Sequence, residues 1–305
     1  MENRFYQELC EAVGKINVLL EEPMWKHTTF RVGGNAAYFV TPESPEQVKR
    51  VIEVCRQNQI PYYVIGNGSN LLVSDEGFSG VILQIGSKMN RCEMKEGNIK
   101  VQAGALLTKV ANRISREDYE GMEFAVGIPG TIGGAVTMNA GAYGGEMKDV
   151  IQGALVLRKD GEILWLNKEE LNLGYRSSVV MEQGYIVLEA EFQLKKGNAE
   201  EIKKKCNQNT KARMEKQPLE YPSAGSTFKR PEGYFAGKLI MDSGMRGYTV
   251  GGAQVSEKHC GFIINKGEAT AKDVLDVITR VQEKVEKTFG VALETEVKMI
   301  GFRKE

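Results

Sequence analysis

Residues 127 to 145 are the stretch that most limits what this 305-residue chain can fold into. The segment contains seven glycines and no charged residue. Glycine lets the backbone adopt positive φ and lets another group approach the peptide closely, at the cost of extra backbone entropy on folding. Successive N–H groups in such turns form concave anion sites, so the segment could hold a diphosphate without Lys or Arg. The structural alternative is a tightly packed Gly/Ala loop between two elements.

Composition limits the partners of the chain. Its length predicts two or three hydrophobic cores. Forty basic and forty acidic residues give a formal net charge of zero, which offers no electrostatic case for nucleic acid or an anionic membrane. Five scattered cysteines without a C-x-x-C pair, and only two histidines, favour neither a disulfide framework nor a metal site. Without a signal-peptide pattern or a run of about 18 apolar residues, a soluble cytosolic protein is expected.

Local signals predict alternating helices and strands. Ser44, Pro45 and Gln47 have the pattern of a helix start, and Thr270 with Asp273 has the pattern of a capping box. The predicted helices cover residues 3–13, 45–58, 106–117 with Leu106 inward, 199–217, 234–243 and 270–289. The predicted strands cover residues 37–41, a buried 62–65, 81–85, 99–103, 154–157, 162–166, 185–194, parts of 246–266, and 293–301. The lysine-rich helix 199–217 is interpreted as a solvated linker at a domain boundary.

A second glycine turn, Gly66-Asn67-Gly68, directly follows the predicted strand 62–65. A turn after a strand suits a phosphate cradle. However, the chain lacks the G-x-x-x-x-G-K-[ST] pattern, and no third glycine follows at the spacing of a dinucleotide-binding turn. The sequence therefore supports neither a P-loop nor a Rossmann fingerprint.

Seven motifs follow one another in the order found in the UDP-N-acetylenolpyruvoylglucosamine reductase (MurB) family, which the chain resembles from about residue 25 to 301. These motifs are His27–Gly34, Gly66–Leu72, Gly127–Gly134, Asn139–Gly144, Tyr175–Ser178, Ala224–Pro231 and Glu296-Val297. The short connection 173–184 resembles the second, shorter type of this family. A set of seven ordered motifs is far more specific than any one of them.

The resemblance implies an α+β fold with a two-part FAD-binding region of the vanillyl-alcohol-oxidase type and a smaller α+β substrate-binding domain. The first FAD-binding subdomain is expected at residues 1–86, joined by the C-terminal strand 293–305. The second is expected at 87–198. The substrate-binding domain, with its lysine-rich helix, is expected at 199–292. A monomer is favoured.

The resemblance also implies the reaction and its cofactors. NADPH would reduce noncovalently bound FAD, and hydride would then pass to UDP-N-acetylglucosamine enolpyruvate, giving UDP-N-acetylmuramate for peptidoglycan synthesis. Backbone groups of residues 66–70 and 127–141 are expected to hold FAD. Replacing Gly133 or Gly134 by Val is expected to lower FAD occupancy before it impairs folding, because a Cβ would block the close approach of the cofactor. The cofactor-binding residues implied are Arg31, Gly66, Asn67, Gly68, Ser69, Asn70, Gly127, Pro129, Gly130, Gly133, Gly134, Asn139, Gly141 and Ala142.

Three residues match the catalytic positions of the family. Arg176 would bind the substrate carboxylate, because its planar fork can contact both oxygens; its alternative is a surface arginine. Ser226 would donate the proton, and its alternative is a turn or cap serine. Glu296, on the predicted last strand among apolar neighbours, would stabilise the enolate, with burial raising the pKa of its carboxyl group. Its alternative is an outward-facing strand position.

Other polar residues are weaker candidates. Lys229 and Arg230 are candidates for the substrate diphosphate, with Tyr175 and Gln254 as further substrate contacts. Of the two histidines, His27 is interpreted as structural, and His259 as lining or supporting the substrate half.

Two other functions stay open. One is a different FAD oxidoreductase of the same fold that acts on a small alcohol or acid. The other is a flavin- or nucleotide-binding module without turnover. Neither needs Arg176, Ser226 and Glu296 together on three separated segments, and this trio therefore favours the reductase.

Overall fold

The computed structural model describes residues 4–302 of the chain. Helices alternate with strands throughout this range. The helices are α1 (Arg4–Val13), α2 (Pro45–Gln57), α3 (Leu107–Arg116), α4 (Ile132–Thr137), α5 (Met147–Val150), α6 (Lys168–Leu171), α7 (Val179–Gln183), α8 (Ala199–Lys216), α9 (Ala236–Asp242) and α10 (Ala271–Phe289).

The strands are mostly short. They are β1 (Val18–Pro23), β2 (Asn35–Val40), β3 (Tyr62–Ile65), β4 (Leu71–Val73), β5 (Phe78–Gln84), β6 (Cys92–Lys95), β7 (Asn98–Gln102), β8 (Gly141–Ala142), β9 (Gly145–Glu146), β10 (Ile151–Leu157), β11 (Ile163–Asn167), β12 (Ile186–Gln193), β13 (Ser223–Ser226), β14 (Thr249–Val250), β15 (Ala253–Val255), β16 (Phe262–Asn265) and β17 (Lys298–Ile300).

The strands form three larger sheets and two strand pairs. A four-stranded sheet has the order β1-β2-β5-β3, a five-stranded sheet the order β11-β10-β12-β7-β6, and a second four-stranded sheet the order β13-β16-β15-β14. The five-stranded sheet is antiparallel, with Ala154 opposite Leu166 on one side and Ala190 on the other. Strands β4 and β17 pair in parallel, whereas β8 and β9 pair antiparallel.

By contacts, the described chain forms two compact units. Unit 1 contains the residues up to Leu20, Tyr38–Asn67 and Gly80–Arg213, and unit 2 contains Glu21–Ala37, Gly68–Ser79 and the chain from Met214 onward. Each unit has its own hydrophobic core, one including Phe192 and the other including Phe30. The three-part division by FAD and substrate binding stays a prediction.

Helices with explicit start signals lie where the sequence predicts them. The Ser44 hydroxyl accepts a hydrogen bond from the Gln47 N–H at 3.3 Å. In α10, Thr270 and Asp273 form a complete capping box, and Gly290 ends the helix with φ +67°. The predicted helix 3–13 begins at a residue outside the described range, and α1 covers the rest of it. The lysine-rich helix α8 buries only Ile202 fully, which agrees with a solvated helix.

Three predictions about strands and inner faces are wrong in detail. In β3 only Ile65 is fully buried, so this strand is half-exposed. Leu106 is the N-cap of α3, and Leu107 is buried instead. The predicted last strand 293–301 is reduced to β17, because residues before it pair with a different segment: Thr295 bridges to Phe228. Within residues 4–302, no helix is long and apolar enough to span a membrane.

Candidate active site

In unit 1, the two glycine-rich turns contact each other. The Asn67 side chain donates a hydrogen bond to the Pro129 carbonyl at 2.6 Å. A Cβ at Gly66 would lie 2.2 Å from the Thr131 hydroxyl oxygen. Glycine at position 66 is therefore required for the close approach of the two turns.

The stretch 127–145 is anchored by its own backbone. The N–H groups of Ile132 and Gly133 donate to the carbonyls of Ala105 and Ala103, at 2.9 and 2.8 Å. These two N–H groups are thus not free to bind an anion, contrary to the simple anion-site interpretation. By contrast, the N–H groups of Gly127 and Gly130 donate to no other residue in the described part of the chain.

The glycines of this stretch divide into two classes. A Cβ at Gly133 would lie 2.9 Å from the Ala103 Cβ, and one at Gly141 would lie 2.7 Å from the Glu146 Cβ, so both are required by packing. A Cβ at Gly134 would meet nothing closer than the Thr131 hydroxyl at 3.7 Å, and one at Gly144 would meet nothing within 4 Å. The packed-loop alternative therefore explains Gly133 and Gly141, the φ of +84° explains Gly144, and Gly134 is left open for a ligand.

This difference changes what is expected of the two adjacent glycines. Gly134→Val should lower FAD occupancy in a folded protein, because its side chain enters open space where a cofactor could approach. Gly133→Val should instead lower the thermal midpoint of unfolding, since it strains the contact with buried Ala103. Absorbance at the flavin band, compared with thermal unfolding of the apoprotein, measures both effects. Full FAD occupancy in soluble Gly134→Val would contradict a cofactor contact at this position.

Asn139 is fully buried and has φ +45°. Its amide donates to the Glu146 carboxylate at 2.7 Å and to the Gly174 carbonyl at 2.9 Å, and its Oδ1 accepts from the Lys148 N–H at 2.9 Å. Both amide hydrogens are used within the chain. The prediction that Asn139 binds the cofactor is therefore restricted to its backbone carbonyl and one remaining acceptor position.

Arg176 lies on a tight turn of unit 1. Gly174 and Ser177 bond to each other at 3.1 and 3.3 Å, which leaves Tyr175 and Arg176 at the tip. Arg176 is half-buried, has φ +52°, and donates from Nη2 to the Gly141 carbonyl at 3.5 Å. Its guanidinium carbon lies 5.3 Å from the centre of the exposed Tyr175 ring. The predicted catalytic arginine is thus next to the predicted cofactor residues Gly141 and Ala142.

Sequence analysis missed one cation near the glycine-rich stretch. The Arg213 side chain, at the end of unit 1, would lie 2.8 Å from a Cβ at Gly127. Burial lowers the pKa of Arg213, with the nearby Tyr143 acting in the opposite direction, and burial raises the pKa of Tyr143. Because Arg213 is on the lysine-rich helix far along the chain, no local signal distinguishes it from the exposed basic residues around it.

In unit 2, the remaining predicted cofactor residues line one group of turns. Arg31 is exposed with φ +56° in a turn closed by its N–H bond to the Thr28 carbonyl at 3.2 Å. The N–H of Thr29 donates to the Gly68 carbonyl at 3.2 Å, and the Thr29 hydroxyl is buried without a hydrogen-bond partner among residues 4–302. Ser69 is half-buried in the adjoining turn.

Asn70 connects this group to the C-terminal segment of unit 2. Its amide donates to the Glu296 carbonyl at 3.1 Å, and its carbonyl accepts from the Lys298 N–H at 3.0 Å. One predicted cofactor residue therefore fixes the backbone of a predicted catalytic residue.

Unit 2 also brings together the segments that carry Ser226 and Glu296. The Glu296 N–H donates to the Thr227 carbonyl at 2.8 Å, and the Lys229 N–H donates to the Glu294 carbonyl at 2.8 Å. Glu296 is half-buried and lies before β17, so its predicted position on the last strand is wrong. At Glu296 the backbone stops pairing with residues 227–229 and begins to bond with Asn70.

Ser226 is exposed at the end of β13, directly after Gly225, whose φ is +76°. Its hydroxyl has no hydrogen-bond partner in the described part of the chain, whereas the buried Thr227 hydroxyl accepts from the Ile263 N–H at 3.1 Å. A register irregularity separates Ser223 from Ser226 in the pairing with β16. A cap serine would use its hydroxyl, so the geometry does not support a cap, and the choice between a turn serine and the proton donor stays a prediction.

The predicted substrate contacts are engaged within their own unit. The Lys229 ammonium pairs with the Glu294 carboxylate. Arg230 stacks 4.0 Å from the centre of the Phe235 ring and donates to the Tyr234 carbonyl at 3.2 Å. The Gln254 amide donates to the Thr249 hydroxyl at 3.0 Å. A diphosphate would have to replace Glu294 as the partner of Lys229.

The two histidines also have structural partners. His27 Nε2 lies 3.0 Å from the Glu22 carboxylate. His259 accepts from the Gly261 N–H at 3.1 Å and packs against Phe262, and burial lowers its pKa, which favours the neutral ring. Among residues 4–302, no group of three or more His, Cys, Asp and Glu side chains could hold a metal ion.

Comparison with known proteins shows which family the chain is similar to. Residues 36–167 match a model of the FAD binding domain, and residues 217–300 match a model of the C-terminal domain of UDP-N-acetylenolpyruvoylglucosamine reductase. The reductase of that name from Lachnoclostridium phytofermentans is 55% identical over 99% of this chain and 98% of that protein.

Solved structures agree with these sequence matches. The crystal structure of the corresponding reductase from Thermus caldophilus is 38% identical, has a TM-score of 0.79, and covers 92% of this chain and 97% of that one. A variant of Phl p 4, a glucose oxidase, is 12% identical with a TM-score of 0.51 over 65% of this chain and 45% of that one. This second likeness shows the fold alone.

The predicted fold class is confirmed: the chain has an α+β fold with an FAD-binding region of the vanillyl-alcohol-oxidase type. On the identity and coverage of its relatives, the chain belongs to the UDP-N-acetylenolpyruvoylglucosamine reductase family.

Proposed function

We propose that the protein uses FAD and NADPH to reduce UDP-N-acetylglucosamine enolpyruvate to UDP-N-acetylmuramate, a precursor of peptidoglycan. The observation that carries this proposal is the backbone pairing between residues 227–229, which directly follow Ser226, and residues 294–297. It brings the segment of a candidate proton donor beside that of a candidate acid. Neither an oxidase of small alcohols nor a binding module without turnover calls for this pairing.

The residues present fit FAD. In unit 1, the N–H groups of Gly127 and Gly130 have no partner among residues 4–302, and Gly134 offers open space at an exposed, uncharged backbone. In unit 2, the Thr29 hydroxyl beside the turn of Gly68 has no partner among the described residues. We assign noncovalent FAD binding to backbone groups of residues 66–70 and 127–142, with Arg31 as an exposed cation.

When bound, FAD supplies a hydride acceptor for NADPH and a hydride donor to the substrate. Hydride addition to the terminal CH₂ of the enolpyruvyl group moves an electron pair onto the carbon next to the carboxylate. Arg176 binds this carboxylate with its planar guanidinium, so that the growing negative charge stays beside a fixed cation. Its support from the Gly141 carbonyl and the Tyr175 ring restricts the guanidinium before substrate binds.

Ser226 donates the proton that completes the reduction. The new C–H bond forms at the carbon next to the carboxylate, and the serine Oγ is left as an alkoxide that regains a proton from water. A free hydroxyl is a very weak acid, so this step needs a site that stabilises the alkoxide or relays a proton. The Ser226 hydroxyl is available for proton donation because it has no hydrogen-bond partner in the described part of the chain.

Glu296, with its carboxyl group protonated, would stabilise the enolate side of the same intermediate by donating a hydrogen bond to it. Its backbone is held on both sides, by Thr227 through its N–H and by Asn70 through its carbonyl. These two hydrogen bonds fix the backbone from which the Glu296 side chain extends. Lys229 and Arg230 are assigned to the diphosphate, and Tyr175 and Gln254 to the rest of the nucleotide.

Anaerobic stopped-flow spectroscopy tests the proposal. The purified protein should be yellow, NADPH should bleach the flavin band, and UDP-N-acetylglucosamine enolpyruvate should restore it with one lactyl ether formed per flavin. A small alcohol or acid should not replace the nucleotide. Bleaching without recolouring by the nucleotide would contradict the reductase function, and flavin that stays attached after acid precipitation would contradict noncovalent binding.

A further inference from the structure

The turn that carries Arg176 is fastened to the glycine-rich stretch at two points, both within unit 1. On one side, the Asn139 amide donates to the Gly174 carbonyl at 2.9 Å. On the other side, the Ser178 hydroxyl donates to the Thr137 carbonyl at 2.5 Å. Asn139 and Ser178 are both fully buried. The four-residue turn between Gly174 and Ser177 is therefore fixed at both ends.

The chemistry of position 139 is specific to asparagine. Its φ of +45° is one that asparagine tolerates better than other side chains except glycine. Its neutral amide donates to a carboxylate and a carbonyl while its oxygen accepts from an N–H, the Lys148 N–H. Aspartate has nearly the same shape but has no hydrogen to donate and would add a charge beside Glu146.

We propose that Asn139 is a positioning residue for Arg176. Together with Ser178, it holds the turn of residues 174–177 against residues 137–141, so that the Arg176 guanidinium is fixed beside the Gly141 carbonyl. This assignment rests on the proposed function, in which Arg176 binds the substrate carboxylate. It gives the Asn139 side chain a role in the second half-reaction and leaves only the backbone of this residue for contact with the cofactor.

The first test is Asn139→Asp, measured in two half-reactions on protein with full flavin occupancy. Bleaching by NADPH should stay within about twofold of the unsubstituted protein. Reoxidation by the enolpyruvyl nucleotide should slow by about 10- to 100-fold, the order expected when a reacting group is displaced by about 1 Å. The loss should lie in the maximal rate rather than in the flavin affinity.

The matched control is Asn17→Asp, which makes the same change in the same unit. Asn17 is also buried, and its amide likewise donates to a carbonyl, that of Val13 at 2.7 Å, and to a carboxylate, that of Glu43 at 3.1 Å. The general cost of burying a charge should appear in both variants as a lower unfolding midpoint, and should be smaller in Asn17→Asp because the Lys88 ammonium, which donates to the Asn17 Oδ1, would pair with the new carboxylate. Only Asn139→Asp should change the ratio of the two half-reaction rates.

A double-mutant cycle with Arg176→Ala decides whether Asn139 acts through Arg176. If it does, adding Asn139→Asp to Arg176→Ala should slow reoxidation by no more than about a further twofold. The same 10- to 100-fold loss in both backgrounds would overturn the proposal, since Asn139 would then act independently of Arg176. Where Asn139→Asp does not fold, Ser178→Ala takes its place in the cycle, because it releases the other end of the turn.

Loss of folding in both variants would also overturn the positioning role, leaving Asn139 and Ser178 as structural residues. Failure of the proposed function is distinguishable from these outcomes. In that case the unsubstituted protein itself would not be reoxidised by the enolpyruvyl nucleotide.

Discussion

Replacing Ser226 by alanine is expected to slow reoxidation of the reduced flavin by UDP-N-acetylglucosamine enolpyruvate by about 10²- to 10⁴-fold, the range for loss of a positioned acid. Bleaching by NADPH needs no proton from this hydroxyl and should remain nearly unchanged. Because Ser226 is exposed and its hydroxyl makes no hydrogen bond within the described chain, alanine should cost little stability. The two rates are measured separately by anaerobic stopped-flow.

Ser223→Ala is the matched control for this experiment. It removes the same hydroxyl from the same strand, at the other end of β13, and neither half-reaction should change by more than about twofold. Ser226→Cys should reoxidise at a rate between those of the alanine variant and the unsubstituted protein, since a thiol can donate a proton but is larger. Reoxidation of Ser226→Ala at the unsubstituted rate would leave Ser226 as a turn residue and move the search for the donor to water near Glu296.

Features of the fold that depend on residues a few positions apart could be predicted from the sequence. Ser44 with Gln47 and Thr270 with Asp273 lie within one helical turn of each other, so the helix starts that they cap are local features. The same holds for the turn that joins β10 to β11, in which Gly161 has a φ of +92°. In each case the residues that decide the structure are within a few positions of it.

Features that depend on distant partners could not be predicted in this way. The strand expected over residues 293–301 fails because its first half pairs with residues near Phe228 and its second half with β4. The alternation of polar and apolar side chains along a predicted strand does not reveal where its backbone changes from one pairing segment to another. Likewise, Gly66 is required by Thr131, which is 65 positions away in the chain (131 minus 66).

The candidate site shows the same division. Family motifs identify Arg176, Ser226 and Glu296, but only the structure shows what fixes each of them. Asn139 was predicted as a cofactor residue because it stands in a glycine-rich motif, whereas its amide is used entirely to connect Glu146 and Gly174. Gly174 is 35 positions further along the chain, and no residue beside Asn139 in the sequence indicates that partner.

Arg176→Lys is the second substitution for which a large effect is expected. Reoxidation should slow by about 10²- to 10³-fold, the range for losing one preorganised donor to a developing negative charge. Lysine keeps the positive charge, so the nucleotide substrate should bind almost normally. It is a point charge, however, and cannot follow both carboxylate oxygens with a planar fork as they gain electron density.

The position of Arg176 makes lysine a poor substitute for a further reason. The turn holds φ at +52°, and the guanidinium contacts both the Gly141 carbonyl and the Tyr175 ring. A flexible ammonium would lose the stacking on Tyr175 and explore more positions, and this adds an entropic cost at the moment of reaction. At saturating nucleotide, the double substitution Tyr175→Leu with Arg176→Lys should therefore slow reoxidation little more than Arg176→Lys alone.

Arg158→Lys is the control for a general effect of replacing a stacked arginine. Arg158 is also in unit 1, lies 6.0 Å from the centre of the Tyr185 ring, and pairs with Asp160 and Glu162. Its replacement should change neither half-reaction, because these contacts are made at the surface. For Arg176→Lys, equal losses in bleaching and in reoxidation would show a defect in folding or cofactor binding, whereas a loss confined to reoxidation at saturating nucleotide would support a role in the reduction of the substrate.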